Sequence, residues 1–244
     1  MVSARRRLLS AAVSAPLWLL LQPPRPRTAI RFGSGPVQSR AKRTVDLVIA
    51  CLLLVASLPI WCAIAVGLKA TTRGPVLFRQ RRIGLHGGEF TVLKFRTMHH
   101  GASEDAHKQF IAAMISDRQP ATAAGGIHKL QDDSRVTAVG RWLRRTSLDE
   151  LPQLINVLRG DMSIVGPRPP MAYEVTKYEP WQWGRLAVRP GITGLWQVSG
   201  RNRLTYREMC ELDVRYIEEW SLLTDVKIVL RTPWVMFVDR GGAE

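Results

Sequence analysis

One uncharged apolar segment limits what this chain can fold into. Residues 47–68 read LVIACLLLVASLPIWCAIAVGL, which is 22 residues without a charged side chain. About 20 apolar residues in a helix cross the hydrocarbon core of a bilayer, which is roughly 30 Å thick. The segment is therefore long enough either to enter a membrane or to form a buried helix of a protein core.

Two features of this segment argue against a simple membrane crossing. Pro59 lies near its middle, and a proline in a helix removes a backbone hydrogen bond and kinks or breaks the helix. Lys and Arg residues flank both ends, and such flanks are typical of the cytoplasmic side of a membrane. We therefore expect a re-entrant membrane helix over residues 42–70, a helix–break–helix at Pro59 that enters and leaves by one face. A kinked spanning helix and a buried core helix remain alternatives.

The charge distribution favours a membrane partner. The formal net charge is +15, from 35 Lys and Arg against 20 Asp and Glu, and such an excess suggests a polyanionic partner. Residues 1–43 carry nine bases and no acid, and residues 69–99 carry seven bases and one acid, whereas the last 145 residues are nearly balanced. The excess thus brackets the apolar segment, whereas a nucleic-acid-binding domain carries its bases on one folded face. This pattern favours a lipid bilayer as partner and argues against nucleic acid.

Residues 1–41 are predicted to be a basic and largely disordered tail that touches anionic lipid. Arg5, Arg6 and Arg7 with the apolar stretch after them resemble the start of a signal peptide. A Pro- and Arg-rich stretch follows instead of a small-residue cleavage site. The three cysteines of the chain show no metal-ligand spacing, and such sparse cysteines suit a reducing compartment.

Residues 71–244 read as one compact cytoplasmic domain, which makes the whole chain α+β and rich in helix. VLFRQRRIG and FTVLKFRTM predict two short strands joined by a glycine turn. GPRPP at residues 166–170 predicts a rigid loop. Apolar periodicity predicts the helices, of which the last two are amphipathic or apolar and are expected at the membrane interface. The predicted helices cover residues 102–116, 135–145, 148–158, 205–220 and 222–238.

The chemistry concentrates at Asp149 and Glu150, within RRTSLDELPQL. Ser147 and Glu150 fit an S-x-x-E capping box, and acids in a first turn complement the helix dipole, so helix capping is one explanation. Pro152 fits an early helical position, which places the start of a helix here. The N-terminus of a helix is also a natural anion site, where backbone N–H groups face a phosphate.

Basic residues in three separate motifs are expected to converge on this acidic pair. Arg144 precedes it, Arg168 is flanked by prolines in GPRPP, and Lys94 and Arg96 belong to KFR. Phosphate chemistry needs such cations to neutralise phosphoryl oxygens while a carboxylate attacks or binds Mg²⁺. A structural ion-pair network would use the same residue types, so both explanations stay open at this point.

From Lys42 to about Thr232 the chain resembles the bacterial sugar transferases that are monotopic phosphoglycosyl transferases. The motifs that carry the resemblance are KRTVD, GPVLFRQRRIG, LKFRTM, LQDDSRVTAVGRWLRRTSLDELPQLINVLRGDMSIVGPRPP, RPGITGLWQVSGRN and YIEEWSLLTDVKIVLRT. Within the family, the chain is most similar to the short exopolysaccharide-initiating enzymes that transfer galactose-1-phosphate. Residues 1–40 match none of these motifs.

The resemblance implies an enzyme at the cytoplasmic face of the bacterial inner membrane. It implies transfer of hexose-1-phosphate, galactose before glucose, from a UDP-sugar to undecaprenyl phosphate with release of UMP. This reaction begins an exopolysaccharide repeat unit, so downstream glycosyltransferases are implied as further partners. The alternatives are an N-acetylated sugar in capsule or glycan assembly, and a basic membrane scaffold without catalysis.

The roles of individual residues follow from the same resemblance. Asp149 falls on the nucleophilic carboxylate that forms a covalent phosphosugar intermediate. Glu150 falls on its partner, which is associated with the cofactor Mg²⁺, and Asp149 is a second candidate ligand. The family's re-entrant helix breaks at a proline, which fits Pro59. The positions expected to bind substrate phosphates are all basic: Lys94, Arg96, Arg144 and Arg168.

Overall fold

The computed structural model of the protein describes residues 39–99, 101, 115, 135–200 and 204–237. All but residue 115 of the predicted helix at 102–116, and most of the predicted basic tail, lie outside the described residues. Within the described part the fold mixes helices with two small sheets and is rich in helix, as predicted. The elements in chain order are α1 Arg40–Thr71, β1 Leu77–Ile83, β2 Glu89–Phe95, α2 Ala138–Thr146, α3 Gln153–Arg159, β3 Ser163–Val165, α4 Ala172–Val175, β4 Gly191–Thr193, α5 Leu195–Ser199, α6 Tyr206–Glu218 and α7 Leu222–Phe237, with 3-10 turns at Leu85–Gly87, Leu148–Glu150 and Pro180–Ala187.

The longest element, α1, contains the apolar segment. Its N-terminus is capped by Ser39, whose side chain accepts a hydrogen bond from the Lys42 backbone N–H at 3.1 Å. Pro59 lies inside this helix, which continues to Thr71. The expected division into two helices at Pro59 is therefore incorrect at the level of secondary structure. A proline removes one main-chain hydrogen bond and leaves those of the adjoining turns in place, so it bends a helix more readily than it ends one.

One face of α1 packs on the rest of the protein along the whole helix. Spacings of four and seven residues place its buried side chains on one side, namely Lys42, Asp46, Ala50, Ser57, Ile64 and Leu68. The opposite face is apolar and exposed, and we call it the outer face of α1: Val48, Leu52, Val55 and Val66 are each at least half exposed. Among the described helices, α1 alone is long and apolar enough to cross a membrane.

Two small sheets flank the centre of the molecule. β1 and β2 form the predicted antiparallel hairpin, with Leu77 opposite Phe95. β3 and β4 pair in parallel, with Ser163 opposite Gly191. This second pairing was not predicted, because three-residue strands are too short to show an alternating pattern.

The core joins these elements to both halves of α1. The largest apolar cluster packs Ala50 of α1 against Val157 of α3, Val165 of β3 and the last two helices. A smaller cluster packs Ile64 and Leu68 against Phe95 of β2 and Leu143 of α2. The N-terminal and C-terminal halves of α1 therefore rest on different parts of the same folded body.

Candidate active site

Asp149 and Glu150 lie in the 3-10 turn between α2 and α3. Ser147 ends α2 in the left-handed conformation, with φ 54° and ψ 17°, which is uncommon for a residue with a side chain. This conformation redirects the backbone away from the axis of α2 and into the turn. Asp149 is buried and Glu150 is half-buried there. Pro152 immediately precedes α3, close to the predicted helix start.

The Glu150 side chain does not form the capping box that its spacing from Ser147 allowed. Ser147 makes no side-chain cap hydrogen bond. The Nζ atom of Lys94 donates to Oε1 of Glu150 at 2.7 Å, and Nε2 of Gln153 donates to Oε2. The capping explanation is therefore wrong for this turn, and Glu150 is held by a cation from β2 and an amide from α3.

The surroundings of Glu150 favour its ionised form. Burial by itself would raise the pKa of Glu150. The charge of Lys94 and its hydrogen bond outweigh that effect, and the charges of Arg168 and Arg82 act in the same direction, so the pKa of Glu150 lies below its usual value of 4.5. The structure thus brings Lys94 and Arg168 close to Glu150, as the sequence predicted.

Arg168 is a half-buried cation within the GPRPP segment. No residue in the described part of the chain forms a hydrogen bond or ion pair with its guanidinium group. The residue borders a cavity that also contacts Arg185, Trp196 and Tyr206. An arginine without such partners beside a carboxylate pair is available to bind an anion.

The other two predicted phosphate-binding arginines have different contacts. Nε of Arg144 donates to Oγ1 of Thr97 at 2.9 Å, on the segment that continues β2. Arg96 is buried, and its Nη2 donates to Oγ1 of Thr72 at 2.6 Å and to the Thr72 carbonyl at 3.3 Å. A cation at this end of α1 complements the helix dipole. Phosphate binding by Arg96 and Arg144 stays a prediction.

Sequence reasoning missed two residues that shape the site. Arg82 lies in FRQRRIG, and the hairpin register places it on the same sheet face as Lys94, because Phe78 opposes Lys94 and Arg82 lies four residues beyond Phe78. Gln153 follows Glu150 by three residues, which is the spacing of neighbours on a helical turn. Strand alternation and this helical spacing are the signals that identify both residues.

The acidic pair suits the way proteins usually bind Mg²⁺. That ion takes oxygen ligands and is commonly held by one or two carboxylates together with water and substrate phosphates. Within the described residues no group of three or more His, Cys, Asp or Glu side chains forms a complete metal cage. Asp149 and Glu150 supply two adjacent carboxylates, and each carboxylate oxygen has more than one lone pair. The residues present therefore fit a magnesium ion whose remaining ligands come from substrate.

Comparisons with known proteins identify the family to which the chain belongs. The sequence model of the bacterial sugar transferase family matches residues 37–239. The exopolysaccharide production protein ExoY of Sinorhizobium fredii is 41% identical over 207 residues, which cover 85% of this chain and 90% of that protein.

Two longer relatives are named for their substrates. The undecaprenyl-phosphate galactose phosphotransferase of Salmonella typhimurium is 41% identical over 203 residues, covering 83% of this chain and 41% of that protein. The UDP-glucose:undecaprenyl-phosphate glucose-1-phosphate transferase of Escherichia coli is 42% identical over 209 residues, covering 82% of this chain and 41% of that protein. Since the family's sequence model and these relatives both match most of the chain, the protein belongs to the bacterial sugar transferase family of enzymes.

Proposed function

We propose that the protein transfers hexose-1-phosphate from a UDP-sugar to undecaprenyl phosphate, releasing UMP, as the first step of exopolysaccharide repeat-unit synthesis. The observation that carries this proposal is the carboxylate pair itself: Glu150 is bound by Lys94 at 2.7 Å with Arg168 nearby, and Asp149 adjoins it. A buried carboxylate next to compensating cations is suited to attack an anionic phosphorus centre. The names of the Salmonella and Escherichia relatives support the same substrate classes.

The proposed reaction has two steps. A carboxylate oxygen of Asp149 attacks the phosphorus atom that carries the sugar, and the bond from that atom to the bridging oxygen breaks, so UMP leaves with the electron pair. An oxygen of undecaprenyl phosphate then attacks the same phosphorus atom, forms the lipid diphosphate sugar and releases the Asp149 carboxylate. The Asp149 carboxylate first takes the phosphosugar from the UDP-sugar and then gives it to undecaprenyl phosphate. Two dissimilar substrates can therefore use a single site, one after the other.

The surrounding side chains reduce the repulsion between this carboxylate and its substrates. Lys94 and Arg168 offset the negative charge of the phosphoryl oxygens. When bound, Mg²⁺ would neutralise further charge on the diphosphate, and Asp149 and Glu150 are the residues that would hold it. Glu150 stays anionic near neutral pH despite its burial, because Lys94 and the nearby arginines keep its pKa below the ordinary value.

Contacts of α1 support a monotopic placement on the cytoplasmic face of the inner membrane. Near its N-terminus Asp46 accepts hydrogen bonds from Ser163 and from the Ile164 backbone. Near its C-terminus Leu68 packs against Phe95 and Leu143. A helix fastened at both ends to one folded body cannot place those ends on opposite sides of a bilayer while that body stays on one side. The outer face of α1 would instead lie in the cytoplasmic leaflet.

A second apolar surface supports the same placement. The exposed side chains of α7 recur at intervals of three and four residues, which makes one helix face: Leu223, Val226, Leu230 and Trp234. A helix with such a face binds in the interfacial plane of a membrane. The acceptor phosphate also lies at this depth, because its polyprenyl chain is dissolved in the bilayer.

We propose galactose as the transferred sugar and glucose as the next candidate. Relatives of nearly equal identity are named for one or the other of these sugars, so overall similarity does not separate them. Glycosyltransferases that extend the lipid-linked sugar are the expected downstream partners.

A turnover assay on purified protein in lipid nanodiscs tests the proposal. We expect continuous UMP release from UDP-galactose or UDP-glucose, beyond one equivalent per protein, only when undecaprenyl phosphate is present, and little release from UDP-N-acetylglucosamine. Without the acceptor, a UDP-sugar labelled in the phosphate next to the sugar should leave one label on the protein. Asp149→Asn should abolish both turnover and labelling, while the exposed α6 variant Glu211→Gln should behave as wild type. Substantial turnover or labelling in the Asp149→Asn protein would contradict the nucleophile assignment.

A further inference from the structure

The GPRPP segment, residues 166–170, carries Arg168 to the site and contributes few hydrogen-bond donors of its own. Its three prolines have no backbone N–H. We call it the proline loop. Such a segment cannot fix itself through a ladder of backbone hydrogen bonds, so its position depends on groups that donate to its carbonyl oxygens.

Four donors from other elements reach these carbonyl oxygens. The backbone N–H of Gly191 in β4 donates to the Pro167 carbonyl at 2.8 Å, and that of Ile83 in β1 donates to the Pro170 carbonyl at 2.9 Å. The carbonyl oxygens of Arg168 and Pro169 accept from buried arginine side chains. Nη1 of Arg82 donates to the Pro169 carbonyl at 3.0 Å, and Nη2 of Arg185 reaches the Arg168 carbonyl at 3.5 Å.

Arg82 is itself held in place by half-buried Gln80 and buried Glu174. Its Nε and Nη2 donate to Oε1 of Gln80 at 3.1 and 2.8 Å, and its Nη1 lies 3.8 Å from Oε1 of Glu174. Oε1 of Glu174 also accepts the Met171 backbone N–H at 3.0 Å, directly after the proline loop. Arg82 and Glu174 therefore fix the C-terminal side of the loop from β1 and α4.

Arg185 contacts the proline loop in a similar way, at the carbonyl oxygen of Arg168. Its Nε and Nη2 donate to Oδ2 of Asp213 at 3.0 and 2.7 Å, and its Nη1 donates to the Tyr178 hydroxyl at 2.6 Å. Arg185 is 5% exposed and Asp213 is 1% exposed. Burying such ions is costly, and buried ion pairs add little to stability compared with apolar side chains of equal volume. Their value here lies in holding a fixed geometry.

Contacts of the Arg168 side chain itself do not fix its orientation. Its side chain is half-buried, borders a small pocket and has no hydrogen-bond or ion-pair partner among the described residues. A guanidinium group without such partners takes its orientation mainly from its own backbone. The backbone of Arg168 in turn is held between the carbonyl contacts of Arg82 and Arg185.

We infer that Arg82 and Arg185 are positioning residues, which hold the proline loop so that Arg168 meets the substrate diphosphate. The inference rests on the proposed function, because it assigns a phosphate to Arg168. Both guanidinium groups are buried and bound to protein groups, so neither has to contact the substrate in this proposal. Each acts through Arg168, so its effect on the reaction should exist only while Arg168 is present.

A double-mutant cycle tests this dependence. Arg82→Lys and Arg185→Lys keep the charge but lose the forked geometry of the guanidinium group. Each is made alone and together with Arg168→Ala. The matched control is Arg207→Lys, an arginine of α6 that is exposed and paired with Glu211. The measured quantity is kcat/KM per folded protein in nanodiscs, with the UDP-hexose that the wild type uses and undecaprenyl phosphate.

We expect Arg82→Lys and Arg185→Lys to lower kcat/KM by about 10- to 100-fold, the size of effect that small misplacements cause. Arg207→Lys should stay within about two-fold of wild type. In the Arg168→Ala background, neither positioning variant should cause a further loss. If Arg82 and Arg185 only stabilised the fold, their lysine variants would lower the folded fraction but leave kcat/KM per folded protein unchanged. Wild-type kinetics, or equal losses with and without Arg168, would overturn the inference.

A binding measurement separates this inference from the proposed reaction. Pyrophosphate with Mg²⁺ is the probe, and its stabilisation of the protein is read as a shift in Tm. Wild type and Arg207→Lys should show the shift, Arg168→Ala should lose it, and the positioning variants should show a smaller one. If no UDP-hexose is turned over, the proposed function fails while this measurement still tests the inference. A wild-type protein with neither turnover nor a pyrophosphate shift overturns both.

Glu174→Gln covers the case in which the lysine variants do not fold. It keeps the shape of the side chain and one oxygen acceptor, replaces the second oxygen by an NH2 group and removes the charge beside Arg82. A kcat/KM loss that vanishes in the Arg168→Ala background supports the inference. A loss of equal size in both backgrounds contradicts it.

Discussion

The Nζ atom of Lys94 lies 2.7 Å from Oε1 of Glu150, and this ion pair joins the end of β2 to the turn that carries Asp149. The two residues are 56 positions apart in the chain. Their side chains are 24% and 34% exposed, so the pair borders solvent on one side. The hairpin therefore delivers its cation to the open edge of the carboxylate pair, where an anionic substrate can reach both.

Replacing Lys94 by glutamine should lower kcat/KM by about 10²- to 10³-fold, the loss typical when one preorganised electrostatic group is removed. The variant removes a positive charge that faces the phosphoryl oxygens in the proposed reaction. UMP release in nanodiscs measures the effect, and Lys177→Gln, which changes an exposed lysine, is the matched control. A Lys94→Gln protein that keeps half of the wild-type rate would show that this cation has no part in the reaction.

The lowered pKa of Glu150 predicts how its contribution to stability depends on pH. Because the folded state holds Glu150 ionised below the ordinary pKa of 4.5, its contribution is complete above that pH and is lost as pH falls through the lower folded value. The difference in Tm between wild type and Glu150→Gln should therefore be largest above about pH 4.5 and shrink towards pH 3.

The same Tm measurement in the Lys94→Gln background provides the control. Lys94 is the strongest of the groups that lower the pKa of Glu150, so without it the pH dependence should be weaker or reversed. A difference that grows as the pH falls in the otherwise wild-type protein would contradict the assigned direction.

Local patterns predicted those parts of the fold that depend on nearby residues. The glycine turn with its flanking apolar and β-branched residues specified the β1–β2 hairpin, and the apolar periodicity of residues 205–220 and 222–238 specified α6 and α7. The proximity of Lys94 and Arg168 to Glu150 was also predicted, since separate cations must converge on a carboxylate pair for phosphate chemistry.

Side-chain partners at the ends of elements were not predictable in the same way. Ser147 and Glu150 have the spacing of a capping box, but the left-handed conformation of Ser147 turns the chain so that Glu150 meets Lys94. Arg96 follows Lys94 by two residues, yet its guanidinium group lies on Thr72 at the end of α1. Both outcomes depend on elements distant in sequence, which no local pattern encodes.

The fastening of α1 at both ends predicts that both ends face the cytoplasm. Cys51 and Cys62 are exposed in α1, whereas Cys210 is buried, so a background with Ala at positions 51 and 62 accepts a single new cysteine. Arg40→Cys and Thr71→Cys change exposed positions at the two ends of the helix. A membrane-impermeant maleimide should label both in inside-out vesicles and neither in intact cells. Labelling of position 40 from the periplasm would instead demonstrate a spanning helix.

Lys42 should be essential for fastening the N-terminal end of α1. Its Nζ atom lies 3.1 Å from Asp46 and 2.8 Å from Asp225 of α7, and all three side chains are at least nine-tenths buried. Lys42→Met leaves two buried carboxylates without their shared cation, and breaking a buried ion pair in this way costs about 3–5 kcal/mol.

Denaturant unfolding in detergent measures this loss, and Lys69→Met, at an exposed position of the same helix, should change stability by about 0.5 kcal/mol at most. Adding Asp225→Leu to Lys42→Met should recover part of the loss, because it removes one of the two unpaired charges. If Lys42→Met is as stable as Lys69→Met, the ion cluster does not hold α1. In that case the ion cluster does not require the N-terminal end of α1 to lie on the same side of the membrane as the folded body.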